Sequence, residues 1–440
     1  MRKLKLVTFG CQANELDSAR IAGLLAREGY ALTEDEGEAD LIILNGCSIR
    51  DKAEQKLYSR LGSLQALKAQ HPGLRLGVAG CLAQREGEGL LRRFPYLDLV
   101  VGNGAHLAEI PQLLQIAANR QVAAAGDPEG FFPSDVEVHR ESRFHAWVGI
   151  MEGCDNFCAF CVVPFTRGRE RSRPPDEILR EVALLRDRGY REITLLGQTV
   201  NSYGLKLNPP VSFATLLRRI DHLVGTEMRV RFTTSHPKDV TTELIEAMTT
   251  LSSVCEHLHL PVQAGATRTL QRMDRGYTRE AYLDKVRLLR KAIPDLAIST
   301  DIIVGFPGES ESDFSDTLDL MREVAFDASF AFKFSPRPNT PAALLADQVP
   351  EPIRARRLAQ VLALQDELSL RKNATMIGQT VEVLVDGDLS KRDSGLAAGR
   401  TRQNKIVHFR GGVVREGMLA NVKISEATPH HLKGVLTTSL

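Results

Sequence analysis

Short apolar runs alternate with amphipathic helical patterns along most of this chain, and that alternation restricts its fold more than any other feature. Residues 3–9 (KLKLVTF), 41–45 (LIILN), 75–80 (RLGVAG) and 98–102 (DLVVG) read as strands, with helical periodicity at about 15–28, 52–70 and 84–93. Strand and helix in turn imply a parallel sheet with helices packed on its faces. From 144 onward the alternation returns at a longer pitch, with strands at 144–151, 192–197, 229–234, 257–262, 297–305 and 327–335. Six such repeats overfill a small sheet and predict a partial (β/α)6 TIM-like barrel, whose chemistry belongs at the carboxyl ends of its strands. The α/β class is expected for both units.

A length of 440 residues predicts about three domains at ~150 residues each. We place them at 1–118, 143–371 and 372–440, with 119–142 as a linker marked by Asp127-Pro128, Gly130 and Pro133. Residues 350–372 carry the 3.6-residue period of an amphipathic helix that bridges the last two domains. Beyond 378 the pattern changes to short apolar strands at 380–385, 405–409 and 420–424, with Asp386-Gly387 and Gly411-Gly412 as turns. These predict a small antiparallel β-barrel. It carries nine Lys or Arg (Lys391, Arg392, Arg400, Arg402, Lys405, Arg410, Arg415, Lys423, Lys433) against six acids (Glu382, Asp386, Asp388, Asp393, Glu416, Glu426). Such barrels bind RNA through loops and a basic groove, and the competing reading is a structural cap.

Composition narrows the setting. Hydrophobic content of 43% and charged content of 25% are those of a globular protein, and no run reaches the ~18 apolar residues of a membrane helix. The start, MRKLKLVTFGCQ, is basic and then apolar, but the run is too short for a signal peptide and lacks a small-residue cleavage site. A cytoplasmic monomer without membrane contact is expected, in which the seven cysteines serve as metal ligands or reactive thiols rather than disulfides. A net charge of +1 gives no global nucleic-acid signature, so any basic surface is local.

Cys154-x3-Cys158-x2-Cys161 follows the first barrel strand. Three thiolates can hold three irons of a [4Fe–4S] cube and leave the fourth open to a small molecule. The natural candidate is S-adenosylmethionine, whose amino and carboxylate groups chelate iron and whose sulfonium can accept an electron. A structural zinc site is the alternative and needs a fourth Cys or His, which does not follow nearby. In the first domain Gly10-Cys11, Gly46-Cys47 and Gly80-Cys81 each end a strand, where open α/β sheets place their ligand crevices. The three thiols should converge on a second cluster, unless they are unrelated buried cysteines. Barrel strand ends also offer Gly197, Gln198, Ser235, His236, Gln263, Gly305 and Gly308, each of which taken singly is a turn or packing residue. Cys255, His257 and His259 read as structural.

Arg167, Arg169, Arg171 and Arg173 stand just past the cysteine motif, against the single acid Glu170. Guanidinium groups pair phosphate oxygens bidentately and stack on bases, which points to a nucleic acid; a solvated charged loop is the alternative. Phe157, Phe160 and Phe165 are interleaved there.

In this order the motifs resemble the radical S-adenosylmethionine methylthiotransferases across nearly the whole chain. The resemblance rests on CVVPFTRGRERSR (161–173), KAEQKLYSRLG (52–62), LLGQTVNSYG (195–204), RFTTSHP (231–237), LPVQAGATRTLQRMDRGYTREAYL (260–283), TDIIVGFPGE (300–309) and FKFSPRPNTPAA (332–343). Asn339 stands where the family usually has Gly, at a turn position that Asn tolerates. VVPFTRGRERSR is closer to the branch acting on isopentenylated adenosine than to sister branches acting on threonylcarbamoyl adenosine or on a ribosomal-protein aspartate. An RNA-binding protein with inert metal sites is the non-enzymatic alternative. The resemblance implies that Cys154, Cys158 and Cys161 hold the cluster that cleaves S-adenosylmethionine, while Cys11, Cys47 and Cys81 hold an auxiliary cluster that supplies or presents sulfur. It implies two equivalents of S-adenosylmethionine per turnover, an isopentenylated adenine at tRNA position 37 as substrate, and a terminal TRAM module for RNA. A low-potential electron donor such as flavodoxin or ferredoxin is needed. We take Phe160, Gly197, Gln198, Ser235, Gln263 and Val304 as contacts to S-adenosylmethionine, and Arg167, Arg169, Arg171, Arg173, Arg400, Arg402 and Lys405 as contacts to tRNA.

Overall fold

The computed structural model describes the chain except residues 49, 127–129, 389–395 and 440. Asp127-Pro128 of the expected linker, and Lys391, Arg392 and Asp393 of the basic count, lie outside the described residues.

Six parallel strands build the first domain: β1 (Arg2–Phe9), β2 (Tyr30–Leu32), β3 (Leu41–Gly46), β4 (Arg75–Ala79), β5 (Leu99–Val101) and β6 (Val122–Ala124), in the order β2-β1-β3-β4-β5-β6. The unbroken apolar run of β3 is explained by burial on both sides. Leu41 and Ile43 pack with Ile21 and Leu25 of helix Gln12–Arg27. Ile42 and Leu44 pack with Leu57, Leu61 and Leu64 of helix Asp51–Gln70. At roughly 1.5–3 kcal/mol per buried aliphatic side chain, this central strand anchors the sheet. The periodicity missed β2, the 3-10 helix Gly104–Glu109 and the short α-helix Ile110–Ile116, none of which is long enough to show a clear period. The segment expected to begin a linker at 119 instead supplies β6, and Phe132 and Val136 beyond it are buried in the same core. The helix expected over 84–93 is two helices, Cys81–Glu86 and Glu88–Arg93, broken at Gly87, whose φ is +50°.

The second unit has β7 (His145–Gly149), a ribbon of β8 (Met151–Glu152) against β9 (Arg171–Ser172), then β10 (Glu192–Leu196), β11 (Arg229–Thr233), β12 (His257–His259), β13 (Ala297–Val304) and β14 (Ala328–Lys333). Its parallel strands form two three-stranded sheets, β7-β10-β11 and β12-β13-β14. A bridge between Val230 and Val254 and a bond from the Ser235 N–H to the His259 carbonyl (3.3 Å) join them into one curved wall. Among the described residues β7 and β14 do not pair with each other, so the barrel is partial as expected. Ile193, Val230, Leu258, Ile298, Ile302 and Val304 point outward into the helical layer. By strand alternation, Trp147, Thr194, Arg231, His259, Asp301 and Phe330 point into the lumen.

Helix Glu351–Ala374 lies against β14 and leads into a closed barrel of β15 (Thr380–Asp388), β16 (Leu396–Arg400), β17 (Ile406–Arg410), β18 (Leu419–Ala427) and β19 (Leu432–Ser439). Five strands replace the three expected, and one pair, β17 with β19, is parallel. The Asp386-Gly387 turn is absent: β15 runs through it with a shift in register between Val385 and Gly387, as a bulge. Asn339 adopts φ +66°, the left-handed turn that its sequence position called for.

Three histidines of the barrel are held neutral, chiefly by burial: His236 is pulled down to about 2, His257 to about 3, and His145 below its ordinary value. Because the folded values lie under the unfolded value of ~6.5, the unfolded chain binds more protons as pH falls below it, and stability is lost in that direction. In urea unfolding of the reconstituted chain, stability should fall from pH 6.5 to 5, and His257→Asn should remove up to about 1.4 kcal/mol per pH unit from that slope.

Candidate functional site

β1, β3 and β4 are neighbours in the sheet, so the turns after them bring Cys11, Cys47 and Cys81 to one edge. A hydrogen bond with Cys47 is the main cause that draws the Cys11 thiol down to about 5. Cys81 faces Cys11 and the Arg167 guanidinium, although burial, the dominant influence, raises it. Gly80 sits at φ +89°, and a Cβ there would strike the Asn45 side chain, so the close approach of β4 to β3 requires glycine. The asparagines lie next to the sulfurs. The Asn14 Oδ1 accepts from the Cys11 N–H at 3.3 Å, Asn14 Nδ2 donates to Asn45 Oδ1 at 3.1 Å, and Asn103 Nδ2 reaches the Cys81 sulfur at 3.6 Å. Asn103 was missed by sequence reasoning. Its signal is Gly102-Asn103-Gly104 after β5, the same position that Gly-Cys occupies after the other three strands.

The Cys154 loop runs between β8 and β9. It folds back on itself: the Cys154 N–H bonds the Gly168 carbonyl at 3.2 Å, and a Cβ on Gly153 (φ +77°) would collide with the Arg169 carbonyl. Asn156 Nδ2 donates to the Cys154 sulfur (3.4 Å), Thr199 Oγ1 lies 3.5 Å from it, and Arg275 Nη1 donates to the Cys158 sulfur (3.3 Å). Burial pushes the Cys161 thiol up to about 12. Donors aimed at sulfur withdraw charge from an iron–thiolate unit and raise its potential. Among the described residues no three His, Cys, Asp or Glu side chains are spaced for a single metal ion. An all-cysteine donor set with N–H groups on its sulfurs fits iron–sulfur ligation.

The cofactor candidates divide. Gln198 Oε1, Ser235 Oγ and the neighbouring His236 Nε2 are buried polar atoms without a hydrogen-bond partner among the described residues, an arrangement that a polar ligand would satisfy. Gly197 shares a cavity of about 20 Å³ with Gln198, Met151 and Glu152. Gln263 adopts φ +75° and is buried. For the other two the structure gives packing. The Val304 side chain points outward into the helical core, leaving only its backbone toward the lumen, and Phe160 packs against the cluster of Ala159, Phe306 and Phe334.

Most of the arginines expected to meet phosphate are engaged inside the protein. Arg167 is buried and pairs with Asp17 (2.7 Å); Arg173 is buried and pairs with Glu181 (2.5 Å). Arg171 stands 3.8 Å from Glu152. Arg169 alone of the four keeps a largely exposed side chain, 65%, beside Asp155 and over the Phe157 ring. On the small barrel, Arg402 pairs with Glu256, and Lys405 with Asp327, both across the seam to the larger barrel. Arg229 and Arg231 reciprocate by donating to the carbonyls of Arg400, Thr401 and Arg402. Arg400 pairs with Asp386. Sequence counts charge but not its partner, which is why these cations read as RNA contacts.

Family models match the chain in three places: residues 3–102 (Uncharacterized protein family UPF0004), 148–321 (Radical SAM superfamily) and 374–437 (TRAM domain). A tRNA-2-methylthio-N(6)-dimethylallyladenosine synthase of Carboxydothermus hydrogenoformans is 48% identical, over 98% of each chain. One from Syntrophobacter fumaroxidans is 49% identical over 99% of this chain and 96% of its own. The chain belongs to the tRNA-2-methylthio-N(6)-dimethylallyladenosine synthase family. Among solved structures, the radical S-adenosylmethionine methyltransferase TsrM of Kitasatospora setae matches with a TM-score of 0.57 at 14% identity, covering 78% of this chain and 75% of that one, a likeness of fold. For a member of this synthase family, the radical SAM unit implies S-adenosylmethionine and a [4Fe–4S] cluster, and Cys154, Cys158 and Cys161 are the residues suited to hold that cluster. No described helix is long and apolar enough to cross a membrane.

In this synthase fold, Arg402→Ala should uncouple the two barrels. Losing one partner of a partly buried pair should cost up to about 3 kcal/mol in thermal or urea unfolding, while the salt slope of tRNA binding stays as in wild type.

Proposed function

We propose that this chain converts N6-isopentenyladenosine at position 37 of tRNA to its 2-methylthio derivative, with S-adenosylmethionine and two [4Fe–4S] clusters. The observation that carries this reading is the end-to-end identity of 48–49% to relatives bearing that activity in their names. The first domain, extended past the expected boundary at 118 by β6 and the buried Phe132 and Val136, carries the auxiliary site, residues 143–371 the radical site and 372–440 the RNA-binding module. The enzyme works as a cytoplasmic monomer with a low-potential donor such as flavodoxin or ferredoxin.

An aromatic C2–H has no acidic proton for a general base, so radical chemistry is the available route. When bound, the cluster that Cys154, Cys158 and Cys161 would hold would supply radical chemistry from S-adenosylmethionine at the C2–H, and the cluster that Cys11, Cys47 and Cys81 would hold would supply the sulfur, its methyl coming from a second S-adenosylmethionine. The chain's own residues do the positioning. Arg275, Asn156 and Thr199 fix the Cys154 and Cys158 sulfurs from behind. Gln198, Ser235 and His236 offer their unpaired polar atoms to the cofactor. The first domain covers the barrel mouth through the Asn103 Nδ2 to Thr166 carbonyl bond (2.8 Å) and the Arg167–Asp17 pair, which excludes water from reactive species. For tRNA phosphates, Arg169 and the exposed Arg415 and Lys423 of the small barrel are the cations we favour.

Two experiments test the reading. Mass spectrometry of tRNA nucleosides from a strain lacking its own synthase should show 2-methylthio-N6-isopentenyladenosine only when this chain is supplied; persistence of the unmodified isopentenyl nucleoside overturns the substrate assignment. In the reconstituted enzyme, Cys158→Ala should abolish deoxyadenosine formation, whereas Cys47→Ala should retain it and lose sulfur insertion, with about four of eight irons remaining in each. Equal loss of deoxyadenosine in both variants contradicts the division of labour.

A further inference from the structure

Resting on the two-cluster reading above, we infer that Arg167 is a positioning residue for the auxiliary site: the loop of the radical site reaches across the domain boundary and places one guanidinium against the sulfurs of the other trio. Arg167 lies six residues past Cys161, directly after the helix Val163–Thr166. Its guanidinium is buried, faces the Cys81 and Cys11 sulfurs, and is held by Asp17 at 2.7 Å. The adjacent Thr166 carbonyl is gripped by Asn103 Nδ2, the same group that reaches Cys81.

The charge around it is arranged in a chain. Asp17 also meets Arg20 (3.6 Å), Arg20 meets Glu152 (3.1 Å), and Glu152 meets Arg171 (3.8 Å), so contacts run from Cys81 to a residue two positions before Cys154. Three guanidinium groups face two carboxylates along it, an excess of one positive charge. Three thiolates on an oxidised cube leave a net charge of about −1, which needs a counter-charge once it is taken out of water. Arg167 supplies that charge, and its planar fork can hold Asp17 with one edge while another N–H faces the Cys81 sulfur, which an ammonium cannot do in the same geometry. Arginine rather than lysine is required for that reason.

The test uses anaerobically reconstituted full-length protein. In a background with Cys154, Cys158 and Cys161 changed to Ala, only the auxiliary cluster is left, and its midpoint potential and paramagnetic resonance spectrum are read directly. Arg167→Met should lower the potential, because a positive charge is removed; Asp17→Asn should raise it, because that charge is then less compensated. In the otherwise native chain, Arg167→Met should raise the ratio of deoxyadenosine to methylthiolated product by about tenfold or more, and Arg167→Lys should restore the potential in part without restoring the ratio. Potentials that do not move, or that move in the same direction for the two substitutions, overturn the inference. So does parallel loss of deoxyadenosine and product in Arg167→Met, which would make the residue a prop of the Cys154 loop alone. Wild-type protein with about four irons instead of eight overturns the two-cluster reading itself.

Discussion

A seam of buried charge holds the first domain over the mouth of the barrel. Arg167 with Asp17 and Arg20 with Glu152 are ion pairs whose members are nearly all withdrawn from water. Pairs of this kind add little net stability, since desolvation offsets attraction, but losing one partner costs about 3–5 kcal/mol. They act as registration pins. Two sets of cysteines, each at the carboxyl ends of parallel strands, must be kept in a fixed relation, and directional guanidinium forks define position more sharply than an apolar interface.

The other side of the barrel is closed by the same device with a different partner. Arg229 and Arg231 enter the turn after β16, while Arg402 and Lys405 reach back to Glu256 and Asp327. The barrel core itself is apolar, aliphatic and aromatic side chains together, and needs none of this. Polar fastening at both ends of an apolar barrel lets each terminal domain carry its own task without sharing a core. It also takes cations expected to face RNA out of that role: Arg402 and Lys405 are engaged in the seam.

What the sequence revealed follows from the range of the physics involved. Strand and helix periodicity is local, and all six barrel strands fall within a few residues of the expected bounds. Gly-Cys after β1, β3 and β4 was legible because a parallel sheet maps equivalent positions to one edge. β2 and β6 were not seen because, unlike the equally short but fully buried β5, their three residues are only partly buried and carry no sustained apolar run. Partner identity was not legible at all. Arg402 and Arg169 are the same residue type in similar company, yet one is fastened to Glu256 across a domain seam and the other faces solvent, a difference that arises only when segments more than a hundred positions apart meet. The orphan atoms of Gln198 and Ser235 likewise exist only once the strand ends converge.

Because β7 and β14 leave the curved wall unsealed, the lumen has a flank as well as two ends. One end lies under the first domain and the other against the small barrel. β7 and β14 are edge strands of that wall, so their outward N–H and C=O groups find partners in loops, helices or solvent rather than in a neighbouring strand.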